Sequence, residues 1–175
     1  MSDTLKTLKS LRQSRQFDGH SIPVEDVQTI LEIARWTGSA RNIQPWQLIV
    51  VQEKAALQAL AEVRDLNSWV ADAGCVIAIA LPSAGGLGAE YDEGRLSERI
   101  MLAATTLGLG SGTAWFVDDE QRAQARDLLD LPEDLSVKSL VVLGYVDQPS
   151  LAGSAKIRGR KPLDEIVSWE RYGNR

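Results

Sequence analysis

The chain has 175 residues, 44% of them hydrophobic and 25% charged, which fits one domain, residues 1–175, with enough apolar material for a real core. A net charge of −5 and a pI of about 5.0 exclude a general nucleic-acid binder, whose footprint is a basic face. No apolar run reaches the roughly 18 residues of a membrane span and the N-terminus carries no signal-peptide apolar core, so a cytoplasmic protein without membrane contact is expected.

In chain order, Leu5, Leu8 and Leu11 recur every three residues and predict a short amphipathic helix over 3–11, leading into Arg12-Gln13-Ser14-Arg15-Gln16-Phe17. Pro23 at a helix start, Glu25 and Asp26 in the first turn, and Val27, Ile30, Leu31 and Ala34 on one face predict a helix over 23–36. Gly38 suits the position just past its end, and a polar loop with Ser39, Arg41, Asn42 and Gln44 follows. Pro45 should hold Gln44 extended, and the run Leu48 to Val51 then predicts a buried strand over 47–52. A constrained polar loop between two core elements is where ligand-contacting groups are commonly placed.

Leu57, Leu60 and Ala61 mark a second surface helix, Cys75 to Leu81 reads as a fully buried strand, and the PSAGGLG stretch after it as a mobile loop. The longest helix is expected over 92–107, and Ile100 to Ala104 make it apolar on more than one face, which calls for cover on a second side. Thr113 to Val117 predicts a strand, Asp118 an N-cap for a helix to about residue 130, and Leu140 to Val146 a last buried strand. The aperiodic stretch 150–161 concentrates Lys156, Arg158, Arg160 and Lys161, and Pro162 opens a short helix with Ile166, Val167 and Trp169. By pattern alone, four strands alternating with helices favour a parallel α/β sheet.

The chemical inventory is narrow. His20 is the sole histidine and lies in a Gly/Ser loop without a partnered nucleophile, which nearly excludes hydrolytic triads. Cys75, the single cysteine, sits in an apolar strand and reads as an inert core residue, and no Cys/His pairing offers a metal site. Gly108, Gly110 and Gly112 close a helix and precede a strand, the reverse of the order a dinucleotide-binding loop needs. The two basic segments, around Arg12 and around Arg158 and Arg160, are the strongest ligand signal, because converging guanidinium forks match the oxygens of a phosphomonoester.

The stretch S-A-R-N-I-Q-P-W at 39–46 resembles the P-S-x-x-N-x-Q-P-W signature of the nitroreductase family of FMN-dependent oxidoreductases. The Arg-rich N-terminal segment, the L-x-x-x-x-L-G-L-G helix end and the closing basic segment followed by P-L-D-E-I-V continue the likeness in the same order. The resemblance implies an α+β fold with a mixed, mostly antiparallel sheet flanked by helices, built as an intertwined homodimer with FMN at the subunit interface. It implies an enzyme in which flavin N5 carries the chemistry, with NADH or NADPH as donor and a nitroaromatic, quinone or similar small molecule as acceptor. Flavin cleavage, reductive dehalogenation, dehydrogenation or a non-catalytic FMN-binding role are the alternatives.

By the same resemblance, Arg12, Arg158 and Arg160 hold the FMN phosphate and ribityl chain, and Arg15 faces the ring as a flavin-tuning cation. Ser39, Ala40, Arg41, Asn42 and Gln44 face the flavin, and the backbone of Thr113, Ala114 and Trp115 passes the ring edge. Two departures are visible. The spacing from Ser14 to Phe17 is one residue shorter than in many relatives, so either Gln13 or Ser14 takes the usual serine place. Near 66–72 many relatives carry an Asn and a Lys at the pyrimidine edge; Asn67 matches the first, whereas Trp69 falls near the second.

Overall fold

The computed structural model describes residues 2–146 and 159–175. Its centre is a four-stranded sheet of β1 (Gln47–Val51), β2 (Cys75–Pro82), β3 (Gly110–Trp115) and β4 (Leu135–Gly144), in the order β1-β2-β4-β3. Every pairing among these four strands is antiparallel, with Ile77 opposite Val141 and Thr113 opposite Val141 on its other side, and a lone parallel bridge joins Gln13 to Ser111. The parallel sheet that alternation alone favours is therefore wrong, and the mostly antiparallel α+β fold is correct. Alternation of strands and helices is local, whereas the insertion of β4 between β2 and β3 is a long-range pairing that no local pattern encodes.

Period two assigns the two faces of β2. Cys75, Ile77, Ile79 and Leu81 join one buried cluster with α2 (Val24–Arg35) and α4 (Gly86–Thr106). Val76, Ala78 and Ala80 join the other with α3 (Lys54–Glu62) and α5 (Asp119–Leu128). On β4 the alternation is interrupted: Ile79 faces Ser139 but Ala80 faces Val137, so Lys138 is an extra, bulged residue. This bulge explains why only 140–146 reads as strand in the sequence while the strand begins at Leu135.

α1 (Asp3–Ser10) is capped by Ser2, yet it buries no residue, and Leu5 and Leu8 stay exposed. α2 begins after Pro23 as expected and buries Val27, Ile30 and Ala34. α4 starts at Gly86, nearly two turns earlier than the periodicity indicates, so the last three residues of the expected mobile loop, 86–88, are helix. Its second side is covered by α2 of the same chain, and Ile100, Met101, Ala103 and Ala104 are all buried, so the breadth of its apolar surface is accounted for within one chain. Asp118 caps α5 by accepting from the Gln121 N–H at 2.8 Å, as its sequence position suggests. α6 (Leu163–Ile166) is a single turn after Pro162 that stops before Val167 and Trp169.

Candidate functional site

The N-terminal segment reaches the free edge of β3. The Ser14 N–H donates to the Ser111 carbonyl at 2.6 Å, and the Thr113 N–H donates to the Gln13 side chain at 3.2 Å. Gly112 is required by this approach, since a Cβ there would run into the Ser14 carbonyl oxygen and press on the Trp69 ring. Gly110 and Gly112 thus lie inside β3 rather than in a helix-terminal turn; only Gly108, at φ 77°, ends α4 in the left-handed conformation. By strand alternation the Trp115 N–H and the Thr113 carbonyl point to that same free edge.

Beside this edge lies a groove of about 560 Å3 lined by Leu8, Lys9, Leu11, Arg12, Gln13, Met101 and Arg160, with one carboxylate, Glu98, among them. Arg12 uses Nη1 alone to donate to the Lys9 and Leu11 carbonyls, at 2.8 and 2.7 Å, so its remaining guanidinium donors are free of protein partners among the described residues. Arg160 is exposed and donates Nη1 to the Gly159 carbonyl at 2.9 Å. The structure brings together Arg12, Gln13 and Arg160, while Arg158 and Lys156 lie outside the described residues.

Ser14 is buried and its Oγ has no hydrogen-bond partner among the described residues, and the same is true of Gln16 Oε1 and of Ser111 Oγ across the Ser14–Ser111 bond. Orphaned buried polar atoms are uncommon and mark the segment as one awaiting partners. Arg15 is exposed, with its guanidinium carbon 5.8 Å from the centroid of the Trp69 ring, and Trp69 packs on Phe17 at 6.1 Å. Asn67 is 3% exposed, and its side-chain N–H donates to the Trp115 carbonyl at 3.1 Å, a bond shared with Arg64. It therefore fixes the end of β3.

None of Ser39, Ala40, Arg41, Asn42 or Gln44 lines this groove. The loop is held instead by α4: Arg99 donates to the Trp36 carbonyl at 2.7 Å, and Arg95 packs so closely on Gly38 that a side chain there would strike it. Gln44 is not extended as Pro45 suggests but left-handed, at φ 51°, and Arg41 and Asn42 are left-handed too, at 54° and 56°. Proline excludes the right-handed helical region for its predecessor. Here the Gln44 N–H donates to Ser39 Oγ at 2.8 Å, and that bond closes the loop in the left-handed form. Three non-glycine residues in that region store backbone strain, which persists where the surroundings over-determine it and is concentrated at ligand sites.

A second cavity, of about 490 Å3, was not legible in the sequence. Its walls are Glu90, Glu93 and Ser97 of α4, Trp115 of β3, and Lys138 and Ser139 at the β4 bulge. Ser139 Oγ donates to Glu93 Oε1 at 2.5 Å, and Lys138 Nζ pairs with Glu90 at 2.5 Å. Burial raises the Glu93 proton affinity above that of an ordinary glutamate; the Ser139 bond and Lys138 oppose the shift and Glu90 adds to it. The available signal is spacing, for Glu93 precedes Ser97, Ile100 and Ala104 on the buried stripe of α4. Elsewhere burial pushes the Cys75 thiol up to about 12, as an inert core cysteine requires.

An antiparallel α+β domain with Arg12 and Arg160 gathered beside a sheet edge has the donor chemistry that suits an anionic ligand, and the comparisons give the family. The Nitroreductase family model matches residues 8–74. A protein of Archaeoglobus fulgidus provisionally named NADH dehydrogenase/NAD(P)H nitroreductase is 33% identical over 150 residues, spanning 83% of this chain and 86% of that one. The chain belongs to the nitroreductase family. A solved structure provisionally named NADH dehydrogenase/NAD(P)H nitroreductase, from Parabacteroides distasonis, superposes with a TM-score of 0.86 at 18% identity, covering 98% of this chain and 100% of that one. A Clostridium difficile structure named as an FMN-dependent nitroreductase gives 0.82 at 23% identity, covering 96% of this chain and 99% of that one.

Proposed function

We propose that the protein is an FMN-dependent oxidoreductase that takes hydride from NADH or NADPH and passes two electrons to a nitroaromatic, quinone or similar small acceptor by a ping-pong sequence. The observation that carries this reading is the groove in which Arg12, Gln13 and Arg160 converge beside the free edge of β3. The names borne by the Archaeoglobus relative and the Clostridium structure point the same way. The residues present suit the cofactor: guanidinium donors not committed to partners among the described residues match a phosphomonoester, and backbone groups on a sheet edge match a flavin ring edge. When bound, FMN supplies the redox chemistry at N5. The chain's part is to hold the phosphate through Arg12 and Arg160, with Arg158 as a third cation, and to present the Thr113–Trp115 backbone and the Arg15 charge to the ring.

The same reading makes the protein a homodimer in which Ser39, Ala40, Arg41, Asn42 and Gln44 face the flavin held by the other copy. In support, Leu5 and Leu8 of α1 and Leu163, Ile166, Trp169 and Tyr172 near the C-terminus are exposed apolar side chains that a second copy would cover. Light scattering on the FMN-loaded protein should give twice the chain mass; a stable monomer with FMN bound would refute the dimer.

A second reading, a binding protein that retains FMN without turnover, is favoured by Trp69, which falls where a ring-facing cation is expected. Anaerobic NADH and NADPH separate the two. Fast bleaching of the flavin band supports the enzyme, and binding without bleaching supports the module. An acceptor panel then separates nitroaromatic and quinone reduction from flavin cleavage, dehalogenation and dehydrogenation.

A further inference from the structure

We propose that Glu93 is the proton donor of the acceptor cavity: it holds a proton beside Trp115 and delivers it to a quinone-class acceptor as that acceptor is reduced. The proposal rests on the oxidoreductase reading above. The cavity and the cationic groove lie end to end along α4, with Ser97 in the first and Met101 in the second. Those two residues are about 6 Å apart at 1.5 Å rise per residue. β3 joins the same two places, because Thr113 Oγ1 contacts Met101 Sδ at 3.8 Å and Trp115, two residues on, forms the cavity wall with half its surface exposed. The groove that would hold a cofactor phosphate and this cavity are thus linked through both α4 and β3.

The carboxyl is built in. Glu93 is only 4% exposed, and its one hydrogen bond among the described residues comes from Ser139 to Oε1, which leaves Oε2 to carry the proton. The bulge at Lys138 sets Ser139 at this position, and bulges are over-represented where a side chain must be re-aimed beside a site. The charged groups facing Glu93 do not neutralise it directly. Lys138 from β4 is occupied by Glu90 of the same helix, Asp92 is paired with Arg95 at 3.4 Å, and Arg64 is bonded to the Trp115 carbonyl. Trp115 itself brings no charge from β3. A buried carboxyl without a cationic partner keeps its proton more readily than an exposed one.

The stoichiometry calls for one more proton, which such a group is placed to supply. A quinone that receives a hydride equivalent, two electrons and one proton originating from NADH or NADPH, needs one further proton to leave as hydroquinone. The Glu93 O–H bond breaks as the acceptor O–H bond forms, and the carboxylate left behind regains a proton from water at the cavity mouth.

The test compares wild type with Glu93→Gln and Glu93→Asp, using benzoquinone and ferricyanide, which accepts electrons without protons. Positioned acids contribute on the order of a hundredfold or more, so the ratio of benzoquinone to ferricyanide turnover should fall by about that factor in Glu93→Gln and recover in part in Glu93→Asp. Wild-type benzoquinone turnover should decline as pH rises through the Glu93 titration, and the Gln variant should lack that limb. Infrared spectra of the cofactor-free protein should show a protonated carboxyl band persisting above the range of exposed glutamates, absent from Glu93→Gln. An unchanged turnover ratio and pH profile, or no such band, would overturn the proposal. If wild type reduced neither acceptor, the oxidoreductase reading itself would fall, and the proposal with it.

Discussion

Truncating Arg160 to alanine removes one of the two guanidinium groups that line the groove among the described residues and should leave the fold untouched, because among those residues this exposed side chain hydrogen-bonds only to the Gly159 carbonyl. A hydrogen bond to a charged group contributes roughly 1.5–3 kcal/mol, and solvent exposure places this one at the low end. About 1.4 kcal/mol corresponds to tenfold in affinity, so Arg160→Ala should weaken FMN binding about tenfold and leave riboflavin, which lacks the phosphate, unaffected. Arg12→Ala should do the same and also loosen the end of α1, because Arg12 ties down the Lys9 and Leu11 carbonyls. Flavin fluorescence titrations of the cofactor-free protein with both ligands, at two salt concentrations, measure this directly. Equal losses for FMN and riboflavin, or none for either, would refute the phosphate assignment.

Gly112→Ala should displace the Gln13–Ser14 segment from β3, since the added methyl meets the Ser14 carbonyl; a lowered melting temperature together with weakened flavin binding would show it, and a variant unchanged in both would refute the close approach. Arg15→Gln should retain FMN but lower its two-electron potential, by about 30 mV for each 1.4 kcal/mol of lost differential stabilisation, and show more semiquinone in reductive titration; an unchanged potential would make Arg15 a partner of Trp69 alone. Glu93 carries a raised folded-state proton affinity, so it supports the fold below the ordinary glutamate range and loses that support as pH rises through its folded titration. Melting temperatures of Glu93→Gln relative to wild type should therefore climb between acidic and mildly alkaline pH, and a pH-independent difference would contradict the burial argument.

Much of the fold can be read locally. Pro23 with the stripe of α2, the β2 run and the Asp118 cap each carry their own physical signature, and each is found where that signature places it. The beginning of β4 escapes because the Lys138 bulge breaks its period, and the first turns of α4 escape because Gly86 and Gly88 read as loop. Gln44 is misread because the proline rule excludes one backbone region without choosing between the others. In the site, Arg12, Gln13 and Arg160 are legible as charge and motif and do meet in one groove, despite nearly the whole chain lying between them. Asn67 is legible as a residue but not in its direction, which is toward the Trp115 carbonyl. Glu93 carries no motif, and only its register with the buried face of α4 separates it from a solvated charge.

The most direct test of the central claim is an anaerobic stopped-flow experiment on the FMN-loaded protein. NADH or NADPH should bleach the flavin band, release the oxidised nicotinamide before any acceptor is added, and allow a quinone or nitroaromatic to restore the band in a second, separate step. A flavin band that stays unbleached with both nucleotides would contradict the account and leave a protein that holds FMN without using it.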